Sequence, residues 1–537
     1  MTTKNANGIA AVRSLYNKLN EKPHDDEMIL ELDCRLLKKT ESINLCGKLA
    51  VHQICDNEKC KYSHNVQEFM DKKADGLPYD CPYGENCKYG LKCLLRPTVE
   101  ATAEPLENSP GYETLNSLRK KKYKFPKFER QPDQLEAIKG VEPSTIGYIA
   151  PTSREISAYK SRKRKEMFKS GNTYLAPLTT HGHVAFRRLC KSFGADITCG
   201  EMALSTSLLQ GKNSNWLTLR RHTSEQQFGV QIAAKHADTV FNTCHLIKNE
   251  CNVDFIDLNL CCPIDTAYER GIGASLLIKR NNLEKIIKAM SKALTHVPTS
   301  PLAMDTTIND PEEKMPLFTV KMRTGVKDGK NLAHSFLPIL EENNFDMASI
   351  HGRSREQRYS KLADWDYMDE CAQLCDKMSF FGNGDITSYT EYDNYMDTTS
   401  VDGILIGRGA LIKPWIFEEI KEKRHIDKSS TERMEMIKQF MLYGMEHFGT
   451  DSVGIERTRR FFCEWWSFSH RYVPHPILEH IPHKINQRPQ SWWGRNALET
   501  WLSSTDPGDW IRLSEVYLGP SDEKFTFSPK HKAESYK

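Results

Sequence analysis

The segment FTVKMRTGVKDGKNLAHSFLPILEENNFDMASIH, residues 318–351, contains two short apolar runs on either side of a helical pattern. The runs cover 318–322 and 347–351, and the helical pattern covers 332–344. Short runs of β-branched and aromatic residues that alternate with helical stretches are typical of strand-helix-strand units. The segment therefore predicts two parallel strands joined by a crossover helix.

The same alternation continues in both directions from this segment. The apolar runs are 173–178, 196–201, 228–233, 255–260, 318–322, 347–351, 380–382 and 403–406. The helical patterns include 183–194, 236–251, 281–294, 332–344 and 366–376. Eight strands that alternate with helices over about 250 residues predict an α/β protein with a (β/α)8 TIM barrel. A doubly wound sheet is the alternative, but it usually has fewer strands and a glycine-rich first turn, whereas the first turn here is Ala176-Pro-Leu-Thr-Thr180.

Polar or reactive residues lie at the C-terminal end of nearly every apolar run. In chain order they are Thr179, Glu201, Gln231, Asn259 with Cys262, Lys321 with Arg323, His351 with Arg353, Asn383 with Asp385, and Gly407 with Arg408. A single polar residue at a strand end is usually a cap or part of a turn. Because barrel enzymes assemble their active sites from the C-terminal ends of the strands, this series predicts one site at the barrel mouth.

The last two turns, Gly382-Asn-Gly-Asp385 and Gly407-Arg-Gly409, predict a phosphate site. Glycines let backbone N–H groups approach a phosphate, and Arg408 adds positive charge. The pair of turns therefore indicates a phosphorylated cofactor or substrate.

Lys321 lies near the end of the fifth run, where its charge would suit the electron-rich edge of a reduced flavin. An ion pair with a rim carboxylate such as Glu201 is the alternative for this lysine. His351 is a candidate to hydrogen-bond the flavin or its phosphate, although a histidine at such a position is often structural.

Cys262 lies in Asn259-Leu-Cys-Cys-Pro263, directly after the fourth run. A buried cysteine is usually an inert apolar side chain. A cysteine at the mouth, beside Asn259 and near Lys321, is instead a candidate acid or nucleophile. The position of Cys262 at the barrel mouth favours a role as acid or nucleophile over that of an inert side chain.

The length of 537 residues predicts several domains. We expect a zinc-finger region at 1–98, a basic polar linker at 99–170, the barrel at 171–424 and a helical domain at 425–537. No apolar run approaches the roughly 18 residues needed to cross a bilayer, and the first residues lack the apolar stretch of a signal peptide. These features predict an intracellular protein, cytoplasmic, nuclear or both, with its 16 cysteines reduced and with no membrane partner.

Positive charge is concentrated before the barrel. The whole chain has a net charge of +3, but residues 119–170 hold 15 Lys/Arg and 6 Asp/Glu. The densest part is Lys160-Ser-Arg-Lys-Arg-Lys165. RNA contact is one interpretation of this run, and a solvated helix face or a nuclear-import signal are the others. In 425–537, RNA contact would have to come from local groups such as Arg457, Arg459, Arg460, Lys484, Arg488 and Arg495.

Two cysteine clusters precede the linker. Cys46, Cys55, Cys60 and His64 have the ligand types and close spacing of a CCCH zinc finger, over 46–64. Tyr62 and other aromatic residues nearby would suit stacking on unpaired bases, and a purely structural finger is the alternative. The second cluster, Cys81, Cys87 and Cys93 within 81–97, is degenerate, because Pro97 stands where a fourth ligand would be expected. Either a more distant side chain completes this second site, or the site binds zinc weakly.

Several long motifs resemble those of the dihydrouridine synthases. They are TYLAPLTTHGHVAFRRLCKSFGADITCGEMALSTSLL (173–209), FGVQIAAKHAD (228–238), DLNLCCPIDTAYERGIGASLL (257–277), FTVKMRTG (318–325), SIHGRSREQRYS (349–360), FFGNGDI (380–386) and GILIGRGALIKPWIF (403–417). The resemblance continues through ERTRRFFCEWWSFSHRYVP (456–474) and WIRLSEVYLGP (510–520) to FTFSPKHKAESY (525–536). It implies an enzyme that reduces a uridine of tRNA, expected at position 47, with FMN, NADPH or NADH, and Zn²⁺ in the fingers.

The resemblance also implies roles for individual residues. Those expected to bind FMN are Pro177, Leu178, Thr179, Gln231, Lys321, His351, Asn383, Gly384, Asp385, Gly407 and Arg408. Asn259 and Arg323 are expected to contact the substrate, and Cys262 is expected to protonate C5 of uracil while hydride reaches C6. The helical domain at 425–537 is expected to bind tRNA. The chain is expected to act as a monomer, with mRNA as a further substrate.

One position departs from the family pattern. Cys261 stands where the family has glycine, directly before the catalytic cysteine. Because glycine tolerates a positive φ and a close backbone approach, we expect Cys261 to strain the turn or crowd the flavin. Two adjacent thiols also allow a disulfide, or an exchange of the acid role between them.

Two other functions compete with this interpretation. One is an FMN-dependent barrel oxidoreductase that acts on a small pyrimidine, and the other is an RNA-binding zinc-finger protein with an inactive barrel. The fingers, linker and helical domain argue against the first. The presence of Cys262, Lys321, His351 and both phosphate turns argues against the second.

Overall fold

The computed structural model describes residues 34, 35, 37, 43–126, 128, 153–295, 315–478 and 492–530. In chain order the strands are β1 Leu77–Asp80, β2 Leu95–Arg96, β3 Tyr174–Leu175, β4 Ile197–Cys199, β5 Ala203–Leu204, β6 Gln227–Ala233, β7 Phe255–Leu260, β8 Leu317–Arg323, β9 Met347–His351, β10 Ser379–Asn383 and β11 Gly403–Ile406. The α-helices are Gly47–Ala50, Val66–Lys72, Tyr112–Arg119, Ser153–Met167, Val184–Ser192, Ser205–Leu209, Asn213–Trp216, Ala237–Glu250, Asp265–Glu269, Arg280–Thr295, Leu337–Glu342, Trp365–Ala372, Tyr389–Thr398, Arg408–Ile412, Ile416–Glu422, Ser430–Phe448, Ser452–Ser469, Ala497–Leu502 and Pro507–Leu518. None of these helices is long and apolar enough to span a bilayer.

Eight of the described strands form a closed parallel barrel. The hydrogen-bonded order is β4-β3-β11-β10-β9-β8-β7-β6, and pairing of β4 with β6 closes the ring. β5 adds a short parallel pairing at the end of β6. The prediction of a (β/α)8 barrel is confirmed, and helices lie at each of the five helical patterns named from the sequence.

The register of the strands aligns the polar residues of the mouth. Asn259 lies opposite Lys321 in the β7–β8 pairing, and Arg323 lies opposite His351 in the β8–β9 pairing. Asn383 at the end of β10 also lies opposite His351. The strand ends therefore bring these residues to one end of the barrel, as expected from the strand pattern.

The other end of the barrel is closed by the helix Ser153–Met167. Met167 and Phe168 are buried against the first residues of the strands, including Phe255 and Leu317. Lys160 pairs with Asp346 at 2.7 Å. The helix therefore lies on the face opposite the mouth.

The basic run on this helix is only partly available to RNA. The side chain of Lys160 is 8% exposed in its ion pair, and Lys163 lies 3.4 Å from Asp254 with a side chain that is 14% exposed. The interpretation of the run as an RNA contact is therefore wrong for these two residues, because they bind acidic groups at the strand starts.

The region predicted as a linker contains a second packed helix. In Tyr112–Arg119, Arg119 donates to the carbonyl of Gly211 at 3.1 Å. Just before it, the side chain of the buried Asn108 donates to the carbonyl of Leu219 at 2.9 Å. The described parts of 99–170 thus contact the barrel on its side and on its closed end.

The helices after the barrel pack against its first and last turns. Met434, Ile437, Met441 and Met445 are all buried in the helix Ser430–Phe448, as their spacing predicts. Trp465 Nε1 donates to the carbonyl of Leu411 at 3.0 Å. Trp465, Trp466 and Trp492 are buried, whereas Trp493 is exposed.

Some of the basic residues proposed for RNA contact in this domain have internal partners. Arg459 is fully buried and donates to Ser514 Oγ and the carbonyl of Gly519. Arg495 forms ion pairs with Asp427 and Glu499. Arg457 and Arg460 are exposed, and Lys484 and Arg488 lie outside the described residues.

Candidate active site

The turn after β7 holds Cys262 at the barrel mouth. The side chain of Cys262 is 8% exposed, and its backbone N–H donates to Asn259 Oδ1 at 3.0 Å. The N–H of Cys261 donates to the same oxygen at 3.2 Å. Arg323 donates to the carbonyl of Cys261 at 2.8 Å. Asn259 and Arg323, which we predicted as substrate contacts, therefore fix the cysteine turn.

A chain of buried hydrogen bonds inside the barrel holds Asn259, and through it this turn. Asn259 Nδ2 donates to Gln231 Oε1 at 2.7 Å, and Gln231 Nε2 donates to Asp257 Oδ2 at 2.8 Å. Thr319 Oγ1 donates to the other oxygen of Asp257 at 2.6 Å. Both oxygens of Asp257 act as acceptors, so its ionised form sets the orientation of Gln231 and, through it, of Asn259.

Burial also determines the protonation of this region. It raises the pKa of Asp257 to about 6, against the opposing hydrogen bonds from Thr319 and Gln231. Burial likewise raises the pKa of the Cys262 thiol above its ordinary value. Cys262 is therefore held as a neutral thiol at neutral pH, which is the state required of a proton donor.

Cys261 does not adopt the backbone conformation that requires glycine. It is absent from the described non-glycine residues with positive φ. Cys261 and Cys262 are both free thiols. The expectation of backbone strain at Cys261 is therefore wrong.

The residue that must be glycine here is Gly273, which sequence reasoning missed. Gly273 has a φ of +64°, and a Cβ built on it would lie 2.9 Å from the carbonyl oxygen of Cys262 and 3.0 Å from its Cβ. The motif 257–277 contains this glycine, in Gly271-Ile-Gly273, but the sequence does not reveal that Gly273 packs against Cys262.

Lys321 is buried and points to the phosphate turn. Its Nζ donates to Asn383 Oδ1 at 2.7 Å, and Asn383 Nδ2 donates to the carbonyl of Leu405. The rim carboxylate Glu201 instead accepts from the backbone N–H of Thr180 at 2.9 Å. The alternative of a Lys321–Glu201 ion pair is therefore not adopted.

Two buried nitrogen atoms at the mouth have no hydrogen-bond partner among the described residues. They are His351 Nδ1 and one terminal nitrogen of Arg353. Burial, together with the charges of Arg323, Lys321, Arg353 and Arg408, lowers the pKa of His351 well below its usual value. Buried polar atoms are normally paired, so these nitrogens and cations fit an anionic group.

Asp385 organises the arginines of this site. Its carboxylate binds Arg353 at 2.6 Å and Arg408 at 3.2 Å, and it accepts from the N–H of Ala363 at 2.7 Å. A carboxylate so placed would repel a phosphate. Asp385, predicted as an FMN contact, therefore acts on the site through Arg353 and Arg408.

The ring of Tyr359 covers Arg408. The guanidinium of Arg408 lies 3.7 Å from the ring centroid, and Tyr359 is 45% exposed. Tyr359 lay within the quoted motif 349–360, but we assigned it no role because nothing in the sequence indicates this stacking.

The first and last turns of the barrel meet beside these groups. A Cβ on Gly407 would lie 3.6 Å from Leu178, which is half-buried like Pro177, whereas Thr179 is exposed. At the neighbouring turn, Gly384 has a φ of +144°, and a Cβ there would lie 2.6 Å from that of Ala363. The predicted FMN residues thus lie at the strand ends and on adjoining turns, and they combine apolar surface, cationic side chains and the unpaired Nδ1 of His351.

The two cysteine clusters are both assembled. The ligand atoms of Cys46, Cys55, Cys60 and His64 lie within 4.8 Å of one another, and so do those of Cys81, Cys87 and Cys93. The sulfur atoms of Cys46 and Cys60 are 3.8 Å apart. A backbone hydrogen bond at Leu49 contributes most to lowering the pKa of Cys46 to about 6. Each cluster has the donors for a metal ion.

The mouth defines a barrel enzyme with a buried thiol and a cluster of cationic side chains at the strand ends. A family model described as Dihydrouridine synthase (Dus) matches residues 174–467. Three proteins named tRNA-dihydrouridine(47) synthase, NAD(P)(+)-like, are similar to this chain over most of its length. The Xenopus laevis protein is 40% identical, with 89% of this chain and 78% of that protein covered. The Homo sapiens protein is 39% identical, with 89% and 79% covered, and the Mus musculus protein is 44% identical, with 89% and 80% covered.

The chain belongs to the dihydrouridine synthase family. It is an NAD(P)H-dependent flavin oxidoreductase whose catalytic domain is the barrel described above.

Proposed function

We propose that this enzyme reduces uridine 47 of tRNA to 5,6-dihydrouridine, with Cys262 as the proton donor. The observation that carries the proposal is the Cys262 thiol, which is held neutral by burial at the mouth of the barrel. The names of the relatives, which specify tRNA and position 47, support the choice of substrate.

The cofactor in this proposal is FMN, which when bound supplies hydride to C6 of uracil. Lys321 and Gln231 would hold its polar edge, and Pro177, Leu178 and Thr179 would line its ring. His351 Nδ1 and one terminal nitrogen of Arg353, which have no partner among the described residues, would face its phosphate end, with Gly384, Asn383, Gly407 and Arg408 around them. NADPH, or NADH, is the reductant that restores the hydride.

The acid step depends on how the protein holds Cys262. Reduction of the C5–C6 bond requires a proton at C5 in addition to hydride at C6. Asn259 and Arg323 fix the backbone around the cysteine, which places the thiol at the mouth. Cys262 delivers its proton to C5, and a proton from solvent restores the thiol after product release.

A uridine of folded tRNA must leave its stack to enter this mouth. The helices after the barrel and the N-terminal fingers supply the additional surface needed to hold the tRNA. Tyr62 of the first finger is exposed, in keeping with base stacking, and Arg457 and Arg460 are exposed on the helical domain.

The first cluster binds Zn²⁺ through Cys46, Cys55, Cys60 and His64. Further proposals are that the enzyme is a monomer, acts in the cytoplasm, the nucleus or both, and also modifies mRNA.

The test is an assay of the purified full-length chain. We expect a yellow protein with an FMN spectrum that oxidises NADPH and forms dihydrouridine in unmodified tRNA, as measured by nucleoside mass spectrometry. A tRNA with cytidine at position 47 is the matched control and should gain no dihydrouridine. A colourless protein would support an inactive barrel, and turnover of free uracil without turnover of tRNA would support a small-pyrimidine enzyme.

Gly273→Ala is expected to slow dihydrouridine formation by roughly 100-fold, because a misplacement of about 1 Å in a catalytic group has an effect of that size. The added methyl would contact the carbonyl and Cβ of Cys262 and displace the thiol. Gly329→Ala is the control, because Gly329 has a similar φ of +70° but nothing within 4 Å of its Cβ position. Equal rates for the two variants in single-turnover reduction of tRNA would contradict the proposed contact.

Dihydrouridine formation is expected to fall as the pH is lowered through about 6. Because the folded-state pKa of Asp257 is raised to about 6 from 3.8, the folded protein takes up a proton in this window. The new O–H would face Thr319 or Gln231, both of which donate, and the support of the Cys262 turn would be lost. Because the folded state binds this proton more tightly than the unfolded state, protonation of Asp257 increases the free energy of unfolding as the pH falls through 6. Unfolding caused by this group would therefore not explain the loss of dihydrouridine formation. Asp257→Asn should be slow at every pH, and a flat wild-type profile between pH 5 and 7 would contradict this role.

A further inference from the structure

The second cysteine cluster has three ligands within its own segment. Cys81 and Cys93 are buried, and their sulfur atoms are 3.8 Å apart. With Zn–S bonds of about 2.3 Å, the edge of a tetrahedral zinc site between two sulfur atoms is about 3.8 Å. Two sulfurs are therefore already at the spacing of a zinc site, although Pro97 stands where a histidine would complete a finger.

A hydroxyl from the helical domain lies beside two of the three sulfur atoms of this cluster. Thr450 Oγ1 lies 3.1 Å from Cys93 Sγ and 4.0 Å from Cys87 Sγ. A tetrahedral edge between sulfur and an oxygen ligand is about 3.5 Å, for a Zn–O bond of about 2.0 Å. The two observed distances lie on either side of that value, and Thr450 is fully buried.

Contacts on both sides hold Thr450 in this position. The N–H of Leu94 donates to the carbonyl of Thr450 at 2.8 Å. Tyr83 donates its hydroxyl to the carbonyl of Glu446. Gly449 has a φ of +127°, and a Cβ there would lie 2.7 Å from the hydroxyl oxygen of Tyr89. The finger segment thus encloses the turn that carries Thr450.

We propose that Cys81, Cys87 and Cys93 bind one zinc ion, with Thr450 Oγ1 as the fourth donor. The three thiols release their protons to solvent on binding, and the hydroxyl remains neutral. Because Thr450 lies between the helices Ser430–Phe448 and Ser452–Ser469, the ion joins the N-terminal finger region to the helical domain. The proposal is independent of the reaction at the barrel mouth.

The test measures zinc in the full-length chain by elemental analysis and follows its release to a chromogenic chelator. A background variant, Cys46→Ser, weakens the first site so that the second can be followed alone. In this background Thr450→Val, which keeps the shape but removes the hydroxyl, should release zinc roughly 10- to 100-fold faster. Thr450→Ser, which keeps the hydroxyl, should release it at the wild-type rate.

Thr450→Cys provides a second measurement, which remains informative even if the Thr450→Val variant folds poorly. A fourth thiolate should slow zinc release, and a cobalt-substituted protein should change from the absorption of a three-sulfur site to that of a four-sulfur site. Two zinc ions per wild-type chain and this order of release rates would support the proposal. One zinc ion per wild-type chain, release from Thr450→Val as slow as from wild type, or an unchanged cobalt spectrum in Thr450→Cys would overturn it.

Discussion

Cys262→Ala is expected to reduce dihydrouridine formation in tRNA by about 10²- to 10⁴-fold, the usual contribution of a positioned general acid. The variant lacks the buried neutral thiol while keeping the backbone turn that Asn259 and Arg323 hold. The measurement is single-turnover reduction of unmodified tRNA by the NADPH-reduced enzyme. Reduction of the bound flavin by NADPH should continue at the wild-type rate, because that half-reaction needs no acid at C5.

Cys261→Gly is the matched control, since it restores the family residue beside the acid. It should keep wild-type turnover, because Cys261 is not held at a positive φ and donates only its backbone N–H to Asn259. If instead Cys261→Gly were inactive and Cys262→Ala active, the acid would be Cys261. If neither single variant lost activity, the double variant Cys261→Gly/Cys262→Ala would show whether the two thiols exchange the acid role or take no part in the reaction.

Asp385→Ala is expected to lower the free energy of unfolding by about 3–5 kcal/mol, the effect of removing one partner from a buried ion pair. The substitution leaves the fully buried Arg353 without its carboxylate and frees Arg408 from its position. We therefore also expect the purified variant to retain far less FMN than wild type. Thermal melting and the flavin absorbance per chain measure the two effects.

Asp328→Ala is the control that shows whether removal of any paired aspartate lowers stability and FMN content. Asp328 pairs with Lys361 on the surface, where both side chains are about half exposed, and such pairs contribute about 0–1 kcal/mol. This variant should melt like wild type and keep its FMN. If Asp385→Ala behaved in the same way, the arginines would not depend on Asp385 for their arrangement.

Much of the barrel could be predicted because its signals are local. Each strand and helix is encoded within a few consecutive residues, and parallel topology then brings the residues at the strand ends together. Gln231, Asn259, Lys321 and His351 could be assigned to the mouth for this reason, before any distance was known.

The basic run Lys160–Lys165 shows where this reasoning fails. A charge run does not indicate what it faces, and Lys160 and Lys163 bind acidic groups at the closed end of the barrel. Asp385 is a similar case, since its position in a glycine turn does not reveal that its oxygens bind Arg353 and Arg408. In both cases the partner is distant in the sequence, so only packing reveals it.

The sequence by itself determined the barrel, the cysteine turn at its mouth and the two clusters of potential metal ligands, because all of these are patterns of neighbouring residues. Only the tertiary structure decided that Gly273 packs on Cys262, that Asp257 orients Gln231, and that Thr450 faces three cysteines of the finger region. The physical reason is that these contacts join segments brought together by folding, where burial and distance are properties of the assembled molecule.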